Sequence, residues 1–289
     1  APIAMFGTNK QKEKYLPDLA SGKKIGAFGL TEPGAGSDAG NTKTRAVLEG
    51  DNFIVNGEKA FCTNAGVSSV LIFTAVIVEK GNENGISAFV VDSNTEGISF
   101  NIPEKKMGWC ASDTRSIFFK DMQIPKSAIL GNPEKGFKQF LKTLTSGRIT
   151  IAALSIGTAQ GAYNRALAYS QEREAFGKSI NRFQGISFKL SDMATQIEAA
   201  RHLVYHAAWK KDQGHPVIKE ASMAKLFSSE MAMQVTTEAI QIFGGYGYIK
   251  EYDVERFFRD AKILEIGEGT SEIQRMIISK NIMHLVQST

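Results

Sequence analysis

The hydrophobic pattern passes from short strand-like runs to helical spacing close to Gly136, and that change limits the fold more than any single motif does. From Ile25 to about Pro125 the apolar residues come in short runs such as GAFGLT, NFIVNGEKAFCT, VLIFTAVIV, ISAFVVD and SIFFKDMQIP, bounded by Gly, Asn and Asp. Runs of that length and spacing predict an antiparallel sheet folded as a barrel or sandwich. Beyond Gly136 the spacing becomes that of helices. Leu190, Met193, Ala194, Ile197, Ala200, Leu203, Val204, Ala207 and Ala208 fall on one face of a long amphipathic helix. Similar patterns run through 137–172, 218–242 and 271–286, so four helices are expected, packed as a bundle. Residues 10–21, KQKEKYLPDLAS, predict the end of a helix broken at Pro17. The expected architecture is α+β and multidomain: a helical remnant over 1–24, a middle antiparallel β-barrel domain over 25–131 and a C-terminal four-helix bundle over 132–289.

With 289 residues, 43% of them hydrophobic, the chain can bury a large core. Its 34 basic and 30 acidic residues are interspersed, which gives a mixed, solvated surface rather than a nucleic-acid-binding patch. Cys62 and Cys110 are too few and too isolated for a disulfide framework or a thiolate metal site, and they suit a reducing compartment. No uninterrupted apolar stretch is long enough to span a membrane.

In TEPGAGSDAG, residues 31–40, Gly34, Gly36 and Ala39 have the GxGxxA spacing of a dinucleotide-binding turn. The sequel NTKTRAVLEGDNFIVNG alternates like a strand, so no helix N-terminus follows on which a pyrophosphate could rest. What remains is a glycine-rich loop between strands, carrying Thr31 and Ser37, able to bring backbone N–H groups to a polar ligand. His202 and His206 share a helical face without a third ligand in view and read as packed or solvated side chains, so no metal is expected. The cluster QIFGGYGYIKE, 241–251, reads as a turn at a helix C-terminus. In EIGEGTSEIQR, 265–275, Glu268 lies between Gly267 and Gly269, on irregular backbone just ahead of a helix. Ser271 and Gln274 have the form of that helix's capping box. A carboxylate in this place either complements the helix dipole or is presented to a ligand.

Seven segments in order resemble the acyl-CoA dehydrogenase family, from about Tyr15 to Met283: TEPGAGSD, NGEKAFCTNAG, MGWCASDTRSIFF, LTSGRITIAA, QEREAFGK with FQGISFKLSDMA, QIFGGYGY and GEGTSEIQR. The chain is similar to the short- and medium-chain, butyryl-CoA dehydrogenase-like members. The resemblance implies a helical N-terminal domain, of which residues 1–24 are the last helix, ahead of the β domain and the bundle. It implies FAD-dependent oxidation of an acyl-CoA thioester to the trans-2-enoyl-CoA, with electrons passed to electron-transfer flavoprotein, in fatty acid or related acyl-CoA metabolism. It further implies a homotetramer, in bacterial cytoplasm or, as the second choice, the mitochondrial matrix.

By the same resemblance Glu268 is the catalytic base, taking the α-proton while the β-hydrogen leaves as hydride to the flavin. An α-proton beside a thioester is weakly acidic and yields only to a desolvated base with the enolate charge stabilised. Flavin contacts are implied at Leu30, Thr31, Ser37, Phe61 and Thr63. FAD contacts across a dimer interface are implied at Arg173, Phe176, Gln241 and Gly245, with Thr270 from the subunit that holds Glu268. A guanidinium such as that of Arg173 suits a diphosphate because it binds phosphate oxygens two at a time. Substrate contacts are implied at Ser37, Arg148, Gly267 and Gly269. The chain departs from the family pattern at Thr145 and Gly267, where many members carry Asp and Tyr. The alternative expectation is a flavin-free structural fragment or relative without catalysis.

Overall fold

The computed structural model describes residues 1–287 and divides into two compact units, one of residues 1–106 with 110–143, the other of 107–109 with 144–289. Residues 288 and 289, the last of the expected bundle, lie outside the described residues. The chain opens with α1 (Pro2–Phe6) and α2 (Asn9–Ala20). Helix α2 starts on a capping box, in which the Thr8 hydroxyl accepts from the Gln11 N–H and the Gln11 side chain accepts from the Thr8 N–H. It does not break at Pro17 as expected but continues through it. Tertiary anchors outweigh the missing donor: Tyr15 is buried, and Gln11 Nε2 donates to the carbonyls of Ser127 and Ile129 at 3.0 and 2.9 Å.

Strands β1 (Gly26–Gly29), β2 (Arg45–Glu49), β3 (Asn52–Thr63), β4 (Val70–Glu79), β5 (Asn82–Asp92), β6 (Ile98–Phe100) and β7 (Thr114–Pro125) form one sheet. Strands β1 and β2 lie one after the other along β4, opposite Val70 to Phe73 and Val76 to Val78, and both pair with it in parallel. The sheet is therefore mixed, which corrects the antiparallel expectation. Alternation reports which face a side chain takes, not the direction of the neighbouring strand. The loop 30–44 accordingly leads into strand β2 and not into a helix. Within the core, the Phe73 ring stacks on Phe89 at 5.4 Å and tilts against Phe119 at 4.5 Å, and Phe53 meets Phe89 edge-on at 5.4 Å.

One charged cluster interrupts this apolar packing. Lys59, 0% exposed, places Nζ 2.7 Å from Glu32 Oε1 and donates to Thr74 Oγ1 at 3.1 Å and to the Leu30 carbonyl at 3.4 Å. Glu32 also accepts from the backbone N–H groups of Lys43 and Thr44 at 2.6 and 3.1 Å. The pair thus fastens the loop 30–44 to β3 and β4. Burial by itself would raise the Glu32 pKa, but the ammonium and the hydrogen bonds bring it below its ordinary value.

The helices that follow are α3 (Gly136–Glu172), α4 (Gln184–Asp212), α5 (Ile218–Phe243), α6 (Val254–Ile266) and α7 (Ser271–Gln287), with the two-stranded ribbon β8 (Glu174–Ala175) and β9 (Lys178–Ser179) after α3. Helix α5 packs against α4, α6 and α7. Fully buried alanines, among them Ala152, Ala159, Ala200, Ala207, Ala224 and Ala232, let these backbones approach closely. On α4 most of the predicted face is buried, with Leu190, Met193, Ile197, Ala200, Val204 and Ala207 inside, Ala194 and Ala208 half-buried, and Leu203 exposed at the edge of the stripe. Helical periodicity picked out α3, α4, α5 and α7 but missed α6, a helix of only 13 residues whose buried residues are Val254, Ala261 and Leu264.

Candidate active site

The junction between α6 and α7 is short, and both of its ends are closed. The Gly267 N–H donates to the Ile263 carbonyl at 2.8 Å, finishing α6. At the start of α7 the Thr270 hydroxyl accepts from the Ile273 N–H at 3.3 Å and the Thr270 carbonyl from the Gln274 N–H at 2.9 Å. Thr270, not Ser271, is thus the cap, and the expected capping box does not form. The Gln274 amide turns instead to the carbonyls of Glu268, at 3.2 Å, and Gly269, at 2.9 Å. The two glycines are not equivalent. Gly269 has φ 97°, and a Cβ on it would sit 2.8 Å from Gln274 Nε2; Gly267 has φ −65° and would meet only the Ile263 carbonyl, at 3.4 Å. Glu268 itself is left-handed, with φ 58°, a conformation that costs a non-glycine residue roughly 1–2 kcal/mol.

The Glu268 carboxylate enters a desolvated place. Its Oε2 is buried without a hydrogen-bond partner. Burial pushes its pKa up, and the nearby cations Arg148 and Lys225 pull part of that shift back. Arg148, on α3, is 4% exposed; burial lowers its pKa, opposed by Glu268. Lys225, on α5, is 0% exposed, donates to the Gly269 carbonyl at 2.7 Å and is brought by burial to about 8. Gly147 makes the room, since a Cβ there would overlap the carboxylate of Glu268. Burial makes this carboxylate more basic than an ordinary one while two cations still support its ionised form, and that combination suits a proton acceptor.

Gly147→Ala meets the free end of a side chain and not backbone, so the variant should fold, but the carboxylate must shift. The expected outcome is proton abstraction slowed about 100-fold with the melting temperature little changed, checked by single-turnover kinetics beside thermal unfolding.

On the strands, the Ala60 N–H donates to the Thr31 carbonyl at 2.8 Å, joining the segment of Leu30 and Thr31 to that of Phe61 and Thr63. The register of β3 against β7 shifts between Lys59 and Cys62, and within that irregularity Phe61 takes φ 55° and stands 67% exposed. Ser37 lies exposed in the loop that precedes β2. Among the helices, Arg173, Phe176 and Gly245 line a cleft of about 600 Å³ together with Tyr246, over whose ring the Arg173 guanidinium sits at 5.7 Å. Phe176 is 96% exposed with φ 51°. Gln241 is exposed in the last turn of α5. His202 lies 3.4 Å from Glu198, and His206 stacks against Trp209. Among the described residues no three His, Cys, Asp or Glu side chains gather to hold a metal ion.

Sequence reasoning missed Lys225 and Gly147 and gave Gln274 only the role of a capping-box partner. Lys225 left a signal, a lone cation on the otherwise small and apolar face ASMAKLF.

Two family models match this chain: the acyl-CoA dehydrogenase middle domain over residues 27–122 and the acyl-CoA dehydrogenase C-terminal domain over residues 134–283. A probable acyl-CoA dehydrogenase of Bacillus subtilis, YngJ, is 52% identical over 284 residues, 98% of this chain and 75% of that relative. The caffeyl-CoA reductase-Etf complex subunit CarC of Acetobacterium woodii is 48% identical over 279 residues, 96% of this chain and 73% of its own. The structure of butyryl-CoA dehydrogenase from Megasphaera elsdenii matches with a TM-score of 0.94 at 48% identity, covering 98% of this chain and 74% of that one. The chain belongs to the acyl-CoA dehydrogenase family of flavoprotein oxidoreductases.

The residues present fit the FAD that this family uses. An outward-facing flat aromatic, Phe61, beside the hydroxyl residues Thr31 and Thr63 suits the face and polar edge of a flavin ring. An exposed arginine at an apolar cleft suits a diphosphate with an attached base.

Proposed function

We propose that this protein oxidises a short acyl-CoA thioester to the trans-2-enoyl-CoA and passes the electrons to electron-transfer flavoprotein. The observation that carries the reading is the buried, partnerless carboxylate oxygen of Glu268, with its pKa raised, on a left-handed turn. Glu268 takes the proton from the substrate's α-carbon, and its own backbone N–H binds the thioester oxygen, on which negative charge develops. Burial strengthens the base, and Arg148 and Lys225 stabilise the ionised form that must exist before transfer. Bound FAD supplies the two-electron acceptor for the β-hydride. Leu30, Thr31, Ser37, Phe61 and Thr63 hold the flavin; Arg173, Phe176, Gln241 and Gly245 hold the rest of the FAD of a second copy, with Thr270 on the subunit of its own Glu268. Ser37, Arg148, Gly267 and Gly269 form the substrate contacts.

The relative named as part of a complex with Etf supports the electron acceptor, and the match to butyryl-CoA dehydrogenase supports a short acyl chain. We further propose that the sheet curls into a barrel, that α3, α4, α5 and α7 form a four-helix bundle, and that residues 1–24, 25–131 and 132–289 are the end of a helical domain, the β domain and the bundle domain of a homotetramer. Two unbridged cysteines, Cys62 buried and Cys110 exposed, fit a cytoplasmic setting, and among the described residues no helix is long and apolar enough to cross a membrane.

The test is optical. The purified protein should show flavin absorption bands that bleach when butyryl-CoA is added without oxygen, faster than with octanoyl-CoA, and the bleached protein should reduce electron-transfer flavoprotein. Bands that persist with both substrates would refute the activity, and a colourless protein would favour the structural relative.

A further inference from the structure

Two buried donors from different helices converge on the backbone of the junction that carries Glu268. Lys225 Nζ, from α5, donates to the Gly269 carbonyl at 2.7 Å. Gln274 Nε2, from α7, donates to the same carbonyl at 2.9 Å and to that of Glu268 at 3.2 Å. Both side chains are 0% exposed. We propose that Lys225 and Gln274 are positioning residues for the catalytic base: by gripping the carbonyls of residues 268 and 269 they fix the direction in which the Glu268 carboxylate is presented. This rests on the reading of Glu268 as the base.

A buried ammonium is expensive to keep unless it is paired, and a methionine would fill the same space without that expense. Among the described residues Lys225 makes no ion pair, and its hydrogen bond goes to a neutral carbonyl. The charges that face it are Glu265, Arg148, Glu268 and Glu230, so its field acts on the base without direct contact. Gln274 is equally particular. A leucine would pack as well, but it could not bridge two successive carbonyls, and the left-handed conformation of Glu268 persists only while the surroundings hold it. The grip supplies that hold.

Lys225→Met removes donor and charge at similar length, whereas Gln274→Met removes the donor alone. In the FAD-loaded protein mixed with butyryl-CoA without oxygen, both variants should bleach the flavin about 100-fold more slowly than the unmodified protein. Losing the Lys225 charge removes a cation that favours ionised Glu268. The acid limb of the rate profile should therefore move to higher pH in Lys225→Met and stay in place in Gln274→Met. Amide hydrogen exchange across residues 265–275, measured without substrate, should quicken in both.

A lysine needed only for folding would lower the melting temperature and flavin content of Lys225→Met and leave the rate per bound flavin, the acid limb and the exchange unchanged; that result overturns the proposal. If Lys225→Met fails to fold, Gln274→Met decides alone, and rate and exchange equal to those of the unmodified protein overturn it. Unmodified protein that acyl-CoA does not bleach counts against the dehydrogenase reading itself, while the exchange measurement still tests the grip.

Discussion

Replacing Glu268 by Gln should slow flavin bleaching by butyryl-CoA by about 100- to 10,000-fold while the protein keeps its flavin. The amide preserves the shape of the side chain and cannot accept the proton. The pH dependence carries a second signature. Burial raises the Glu268 pKa, so in the unmodified protein activity falls with decreasing pH while still above the ordinary carboxylate range, and the residual rate of the variant should lack that limb. Stability should move the other way. A carboxyl whose pKa is raised by folding favours the folded state when protonated, and that contribution is lost as pH rises through the folded value. At neutral pH the neutral variant should therefore melt no lower than the unmodified protein. Undiminished oxidation by Glu268→Gln would remove the residue from the mechanism.

The second large effect lies in the strand unit. Lys59→Met strips the ammonium from Glu32 and leaves a carboxylate 5% exposed in the core. Breaking a buried pair from one side costs about 3–5 kcal/mol, which for a protein of this size lowers the melting temperature by roughly 10 °C. The folded pKa of Glu32 is depressed, so the stability it contributes is present above its unfolded value and is lost as pH falls through the folded one. In Lys59→Met the same carboxyl gains by protonation. The gap between the two proteins should thus be widest at neutral pH and narrow in acid, as read by thermal unfolding across that range. The double change with Glu32→Gln should recover part of the loss, and equal melting of Lys59→Met and the unmodified protein at neutral pH would show that the pair is not structural. Because the pair also fastens Leu30 and the loop 30–44 to β3, weaker flavin retention should accompany the lower melting point.

Much of this arrangement was legible in the linear pattern. The change of period near Gly136 separated strands from helices because burial on one face imposes its own spacing on each. Pairing direction was not legible, since β1 and β2 run parallel to β4 through a choice of neighbour that leaves no mark on alternation. Pro17 misled because the anchors that keep α2 intact, at Ser127 and Ile129, are distant in the chain. Glu268 stands out by its flanking glycines and by the segment GEGTSEIQR that carries part of the family resemblance, and that resemblance is what names it as the base. Its surroundings were not legible in that way: Gly147, Lys225 and Gln274 come from three helices, and each looks ordinary until the fold brings it to the turn that carries Glu268. Glu32 and Lys59 were hidden for the same reason, one in a turn and the other in a strand.

The unequal glycines beside Glu268 matter for how such a protein diversifies. Position 269 is closed to other residues by its backbone angle and by Gln274, whereas position 267 has an ordinary angle and only a van der Waals contact with the Ile263 carbonyl to accommodate. Selection can therefore change the neighbour on one side of the base without disturbing its aim. On the proposed reading, in which Gly267 contacts the substrate and Glu268 takes the proton, single substitutions at 267 should shift substrate preference within a lineage while the proton chemistry next door stays constant.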